Sequence, residues 1–191
     1  FDVVIIGAGP AGLSTARALA TSGLRIVMVE KQAESVLANP GFDGREIALT
    51  HRSVELLKAF GAWDRIPAEE ISPLREARVW NGSSTYALGF SPDLRLDENL
   101  GYFAPNYLIR RSLYEAAREQ DNLTLIDQTT VTNVDARPEV ARVTLSDGRE
   151  IATRLVIAAD TRFSEMRRRM GIGTSMKDFG KVMMVSRMEH E

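Results

Sequence analysis

The chain has 191 residues, of which 44% are hydrophobic and 26% charged, and its formal net charge is −2. This is the composition of an ordinary globular protein, and it gives no reason to expect nucleic acid or an anionic membrane surface as a partner. There is no cysteine, which excludes disulfides, thiolate catalysis and cysteine-ligated metals within these residues.

No apolar run approaches the roughly 20 residues needed to cross a bilayer. The first apolar run has no basic segment before it and turns into glycines after Ile6, so a signal peptide is not expected. The sequence starts at Phe1 and stops at Glu191 within the strand-like KVMMVSRMEHE, and it reads as a fragment. The length suits one domain, or one large domain plus part of a second.

Residues 2–6 (DVVII) are apolar and β-branched up to Gly7, the pattern of a strand buried on both faces. Pro10 opens a helix, where its missing N–H costs nothing. Leu13, Ala16, Leu19 and Ala20 recur at helical spacing, and Gly23 offers a stop. RIVMV (25–29) is a second strand ending at Glu30, which completes a right-handed βαβ unit. Residues 31–46 read as loop. A helix is predicted from Thr50 to Phe60 with Gly61 at its end. EARVW, Asn81-Gly82 and STYALGF predict a β-hairpin with a tight turn over 76–90. A helix follows over 108–118, then a short strand at 123–127. ARVTL and EIATR flank Ser146-Asp147-Gly148-Arg149 as a second hairpin, LVIAA (155–159) is another buried strand, and 181–188 resumes β character. The division expected is a nucleotide domain at 1–70 and 101–175, with parts of a second sheet at 71–100 and 176–191.

GAGPAG (7–12) has the dinucleotide fingerprint spacing. Gly7 allows the tight turn, Gly9 lets backbone approach a pyrophosphate, and Gly12 lets helix and strand pack closely. The helix start adds free N–H groups and partial positive charge. Glu30 at the end of the next strand suits ribose hydroxyls and repels a 2′-phosphate. NADP is therefore disfavoured, while FAD and NAD remain level on these residues.

The later segments carry a resemblance. DGREIALTHRSVELLKAFGAW, LGYFAPNYLIRRSLYEAA and LVIAADTRFSEMRRRMGI follow the fingerprint in order. With it they resemble the flavin aromatic hydroxylases of the p-hydroxybenzoate hydroxylase type, in the branch of the ubiquinone-biosynthesis hydroxylases, over nearly the whole chain. The resemblance implies an α/β fold: a Rossmann-like FAD-binding domain with a mixed sheet and an antiparallel hairpin insertion, plus part of an antiparallel substrate-domain sheet. It implies that Gly7, Gly9, Ala11 and Gly12 line the FAD pyrophosphate. Glu30, with Lys31 beside it, would bind the adenosine ribose. Arg45 would contact the flavin nucleotide from a loop just ahead of a helix. Asn106 would stand near the cofactor, Val131 would meet adenine through its backbone, and Asp160 matches the aspartate of the family's Asp-Gly motif. That motif is tied to both FAD and the reduced nicotinamide.

Two departures stand out. Thr161 replaces the motif glycine, although Ser164 and Arg167 are retained. The relatives' later Gly-Asp-Ala-Ala-His segment is missing, so this fragment alone is expected to bind FAD poorly and to be inactive. No catalytic residue is assigned.

Other features have plain readings. His51 is a helix-start residue, and neither it nor His190 has metal-ligand spacing. Arg167, Arg168 and Arg169 form a solvated helix face. Met183, Met184 and Met188 read as sheet packing. Ser14, Ser53 and Ser112 lack a base-and-orienter constellation. The function implied is an FAD-dependent monooxygenase that hydroxylates the ring of a polyprenylated phenol or quinol in ubiquinone biosynthesis. It would work through NADH or NADPH, dioxygen and a flavin C4a-hydroperoxide. The alternatives are a hydroxylase or reductase of another aromatic or isoprenoid substrate, and a non-catalytic flavin-binding component of a biosynthetic complex. The implied setting is cytoplasmic, peripheral at the inner membrane, with an enzyme assembly or a second copy of the chain as candidate partners.

Overall fold

The computed structural model describes residues 1–92, 99–161, 163–182 and 184. Four β-branched residues make β1 (Val3–Ile6), and all four are buried. β2 (Ile26–Val29), β8 (Leu123–Ile126) and β12 (Leu155–Ala158) join it in a parallel sheet of order β12-β1-β2-β8. Val3 lies between Leu155 and Ile26, and Ile6 between Ala158 and Val29.

Alternation along these strands feeds two cores. Val3, Ile5, Ile26 and Met28 pack toward α1 (Pro10–Ala18) and α4 (Asn106–Arg118), against Leu13, Ala16, Leu113 and Ala117. Val4, Ile6, Val27 and Val29 pack on the other face against Val131, Val143, Leu145, Ile151 and Met166. That second cover is an antiparallel sheet of order β11-β10-β9, from β9 (Val131–Ala136), β10 (Ala141–Leu145) and β11 (Glu150–Thr153). Met166 comes from the short α5 (Glu165–Arg169). Both faces of the sheet's central strands are thus closed, which is why β1 and β2 are apolar throughout rather than alternating.

The remaining elements correct several expectations. The stretch 31–46 is not all loop: it holds α2 (Glu34–Ala38), and β3 (Glu46–Leu49) begins at its end. α1 stops at Ala18, and Gly23 turns the chain beyond it at φ +72. α3 (His51–Ala59) begins where predicted, because Thr50 caps it by accepting from Ser53 N–H at 3.2 Å. β7 (Gly101–Pro105) precedes α4, which starts at Asn106 rather than 108. β7 pairs antiparallel with β3 and with β4 (Ser72–Leu74). The hairpin of β5 (Ala77–Trp80) and β6 (Ala87–Phe90) is present, but Trp80 pairs with Ala87, so residues 81–86 form a longer loop than a two-residue turn. The Ser146–Arg149 hairpin joins β10 and β11 as expected. Most of 181–188 lies outside the described residues, as do Met183, Met188 and His190. Met184 is 92% exposed, not packed.

Candidate functional site

The turn from β1 into α1 is built by two glycines for internal reasons. Gly7 has φ +104, and a Cβ there would lie 2.6 Å from the Ala159 carbonyl oxygen. A Cβ on Gly12 would fall 1.9 Å from the Gly7 carbonyl oxygen and 3.4 Å from Ile5 Cγ2. Gly9 is different. Its φ of −77 suits any residue, and a Cβ on it would meet nothing within 4 Å. The space that Gly9 leaves is therefore not used by the protein. Gly9 is the N-cap of α1, and no side chain caps the helix. Its first N–H groups therefore have no side-chain partner at the cap, and Ala11 is exposed at the opening turn.

A cavity of about 410 Å³ opens beside this turn. Its walls include Gly7, Glu30, Lys31, Val131 and Asp160, so five of the residues named from the sequence meet there. Glu30 is 7% exposed. Its Oε2 accepts from Ala8 N–H at 2.7 Å and its Oε1 from Gln32 N–H at 2.8 Å. The carboxylate is fixed by backbone and faces the cavity as an acceptor.

Asp160 follows β12 and abuts the turn, since a Cβ on Gly7 would come within 3.1 Å of its Cα. Asp160 Oδ2 accepts from Met166 N–H at 3.2 Å, whereas Oδ1 is buried with no hydrogen-bond partner among the described residues. A buried carboxylate oxygen without a donor is costly. Burial works to raise the carboxyl pKa, but the nearby Ser164 hydroxyl and the backbone N–H groups of Met166, Asp160 and Glu165 outweigh it. They hold the group below the ordinary aspartate range. Asp160 is thus an anion at neutral pH. Thr161 shows no left-handed backbone; its hydroxyl accepts from Phe163 N–H at 3.2 Å. The departure from glycine is absorbed without strain.

Arg45 and Asn106 form a second group. Arg45 does not sit just ahead of a helix, because β3 intervenes. Its guanidinium pairs with Asp43 at 2.6 Å, and Asn106 Nδ2 donates to the same Asp43 oxygen at 2.7 Å. Asn106 lines a second cavity, of about 560 Å³, together with Pro10 and Ser14 of α1. The glycine turn therefore lies between two cavities, with Gly7 on one and Pro10 on the other. The two cavities on either side of the turn leave room for an extended ligand.

Sequence reasoning missed Asp43 and the three threonines Thr129, Thr130 and Thr132, which line the first cavity beside Val131. Asp43 opens the quoted DGREIALT segment and was legible as a partner for Arg45. The threonines were not, since β9 was unforeseen. His51 begins α3 and its Nε2 is 2.9 Å from the Asn99 carbonyl, a structural contact. Arg168 and Arg169 are exposed on α5, and both pair with Glu165.

This fold, with its uncapped glycine turn between two cavities, is that of a flavin-dinucleotide domain. The chain belongs to the FAD binding domain family, which matches residues 1–189, and FAD is its cofactor. Among curated proteins it is 45% identical to the ubiquinone hydroxylase UbiM of Neisseria meningitidis, over 99% of this chain and 42% of that protein. It is 31% identical to the ubiquinone hydroxylase UbiL of Rhodospirillum rubrum, over 100% of this chain and 44% of that one. The chain thus spans less than half the length of these relatives. Among solved structures, the p-nitrophenol 4-monooxygenase PnpA from Pseudomonas putida superposes with a TM-score of 0.71 at 21% identity. It covers 89% of this chain and 43% of its own, a likeness of fold.

Proposed function

We propose that this chain is the cofactor-binding part of an FAD-dependent monooxygenase of ubiquinone biosynthesis. Its substrate is a polyprenylated phenol or quinol, and NADH or NADPH is the reductant. The observation that carries the reading is the glycine turn, where Gly9 leaves open space between a cavity bearing Glu30 and Asp160 and one bearing Asn106. The 45% identity to a protein called a ubiquinone hydroxylase supports the substrate class.

FAD, when bound, supplies the redox chemistry that takes electrons from the nicotinamide and activates dioxygen for insertion into the ring. The residues present fit it. The α1 N-terminus and the backbone of Gly9, Ala11 and Gly12 take the pyrophosphate, and Glu30 accepts from the adenosine ribose. Lys31 and Val131 border the adenine end. Asp160 Oδ1 accepts from the cofactor's polar groups, and Arg45 and Asn106 donate to its flavin-nucleotide half. Residues 1–70 and 101–175 make up this domain, while 71–100 and 176–191 belong to the substrate domain. A long isoprenoid tail draws the protein to a membrane surface or to a biosynthetic assembly. Among the described residues no helix is long and apolar enough to cross a membrane.

The test is NAD(P)H oxidation by the purified full-length protein, with and without a demethoxyquinol analogue. Stimulation by the analogue with formation of a hydroxylated product supports the reading. A colourless protein refutes it. Stimulation by a soluble phenol alone shifts the substrate class, and a yellow protein with no stimulated oxidation favours a non-catalytic role.

A further inference from the structure

Asp43 was not among the residues read from the sequence as cofactor contacts, yet it touches two that were. Gly44 adopts φ +67, and this left-handed residue folds the backbone so that Arg45 N–H donates to Asp43 Oδ1 at 3.2 Å. The Arg45 side chain returns along the same path. Its Nε and Nη2 both reach Asp43 Oδ2, at 3.0 Å and 2.6 Å. Asn106 Nδ2 reaches that oxygen from the start of α4 at 2.7 Å. Asn106 N–H also donates to the Arg45 carbonyl at 2.8 Å. One carboxylate thus ties the loop before β3 to the first residue of α4.

We propose that Asp43 is a positioning residue for the cofactor: it holds the Arg45 guanidinium and the Asn106 amide as a preformed donor pair. This rests on the reading of Arg45 and Asn106 as cofactor contacts. An arginine on a surface loop samples many rotamers, and ordering it on binding costs affinity. Here the ordering is done in advance. The Arg45 side chain is 60% exposed, against 25% for Asp43, so the fork is fixed at one edge and open at the other. Arg45 Nη1 has no protein partner among the described residues and remains available to a phosphate or a flavin oxygen.

Two effects of Asp43 oppose each other. Its negative charge offsets that of Arg45 and weakens attraction for a diphosphate. Its hydrogen bonds fix where the donors point. At an exposed site salt screens the first effect and leaves the second, so orientation dominates. The carboxyl also remains ionised, since hydrogen bonds from Arg45 and Asn106 overcome the opposing effect of burial and hold it below the ordinary aspartate range.

The experiment is FAD titration of the deflavinated full-length protein at moderate and high salt, read by flavin fluorescence. Asp43→Asn is made in the wild type and in an Arg45→Ala/Asn106→Ala background. The expected result is a loss of FAD affinity on the order of tenfold in the wild type and under about twofold in the double-variant background. Asp43→Glu, which keeps the charge, recovers part of the loss, and the loss persists at high salt. Unchanged or tighter binding by Asp43→Asn overturns the proposal, as does an equal loss in both backgrounds. Urea midpoints of the apoproteins separate this from unfolding: if Asp43→Asn unfolds more easily and Asp43→Glu restores only stability, Asp43 is structural and the proposal fails. If Arg45→Ala/Asn106→Ala binds FAD like the wild type, the reading of those two residues is wrong, and the role of Asp43 falls with it.

Discussion

Replacing Gly12 and Gly9 separately by alanine divides the fold from the ligand site. At Gly12 the new Cβ would sit 1.9 Å from the Gly7 carbonyl oxygen. Ordinary carbon–oxygen contacts lie at about 3.3–3.6 Å, so one side must move by more than an ångström. Both atoms belong to backbone, in the turn between β1 and α1. The gain from alanine inside a helix is about 0.5–1 kcal/mol, while forced overpacking costs about 1–3 kcal/mol and rises when backbone must yield. The clash wins, and Gly12→Ala should destabilise the protein by about 1–3 kcal/mol. At Gly9 the Cβ meets nothing within 4 Å and φ is −77. Reduced freedom of the unfolded chain gains about 0.4–1 kcal/mol, and losing glycine at an N-cap costs a similar amount. Stability should therefore stay within about 1 kcal/mol of wild type. The methyl would fill the space at the helix N-terminus, so flavin retention should collapse. The assay is urea unfolding of the apoproteins, so that lost ligand is not counted as lost stability, together with flavin content on purification. A Gly9→Ala protein that keeps its flavin, or a Gly12→Ala protein as stable as wild type, refutes the reasoning.

Further outcomes follow from the same contacts. Glu30→Ala removes the acceptor of the buried Ala8 N–H and should cost about 1–3 kcal/mol, losing flavin as well as stability, unlike Gly9→Ala. The depressed pKa of Asp160 stabilises the fold fully above the unfolded value, near 3.9. That contribution is lost as pH falls through the lower folded value. Asp160→Asn should therefore flatten the decline of the urea midpoint below about pH 4, and an unchanged acid limb would contradict the hydrogen bonding described. Leu145 is 2% exposed in the core beneath the β9–β11 sheet. Leu145→Ala should cost about 2–5 kcal/mol in urea unfolding, and a loss under about 1 kcal/mol would mean that this sheet does not seal the second face.

The parts legible in the sequence were those specified locally. Val3–Ile6 ends at a glycine that must be one, and Thr50 announces α3 three residues before the N–H it caps. β3 and β7 were missed because each is short and owes its conformation to the other: Ile47 pairs with Ala104, and Ala48 with Phe103. The Asn-Gly pair at 81–82 was over-read, since register is set by the Trp80–Ala87 pairing and not by the turn residues alone. α2 has no side-chain cap to signal its start. Within the site, Glu30 was readable because it ends an apolar strand, and Asp160 because it lies in a segment that carries the family resemblance. Asp43 looked like loop charge, and its reach to Asn106 depends on β7 delivering the start of α4 beside it.

In the proposed function this domain holds FAD for oxygen insertion into an aromatic ring. Its most direct test is turnover of a demethoxyquinol analogue by the full-length protein, with reduced nicotinamide, under heavy-isotope dioxygen, with mass spectrometry of the product. The account predicts a hydroxylated ring carrying one labelled oxygen atom. Hydroxylated product with oxygen from water, or nicotinamide oxidation that yields only peroxide, would contradict it.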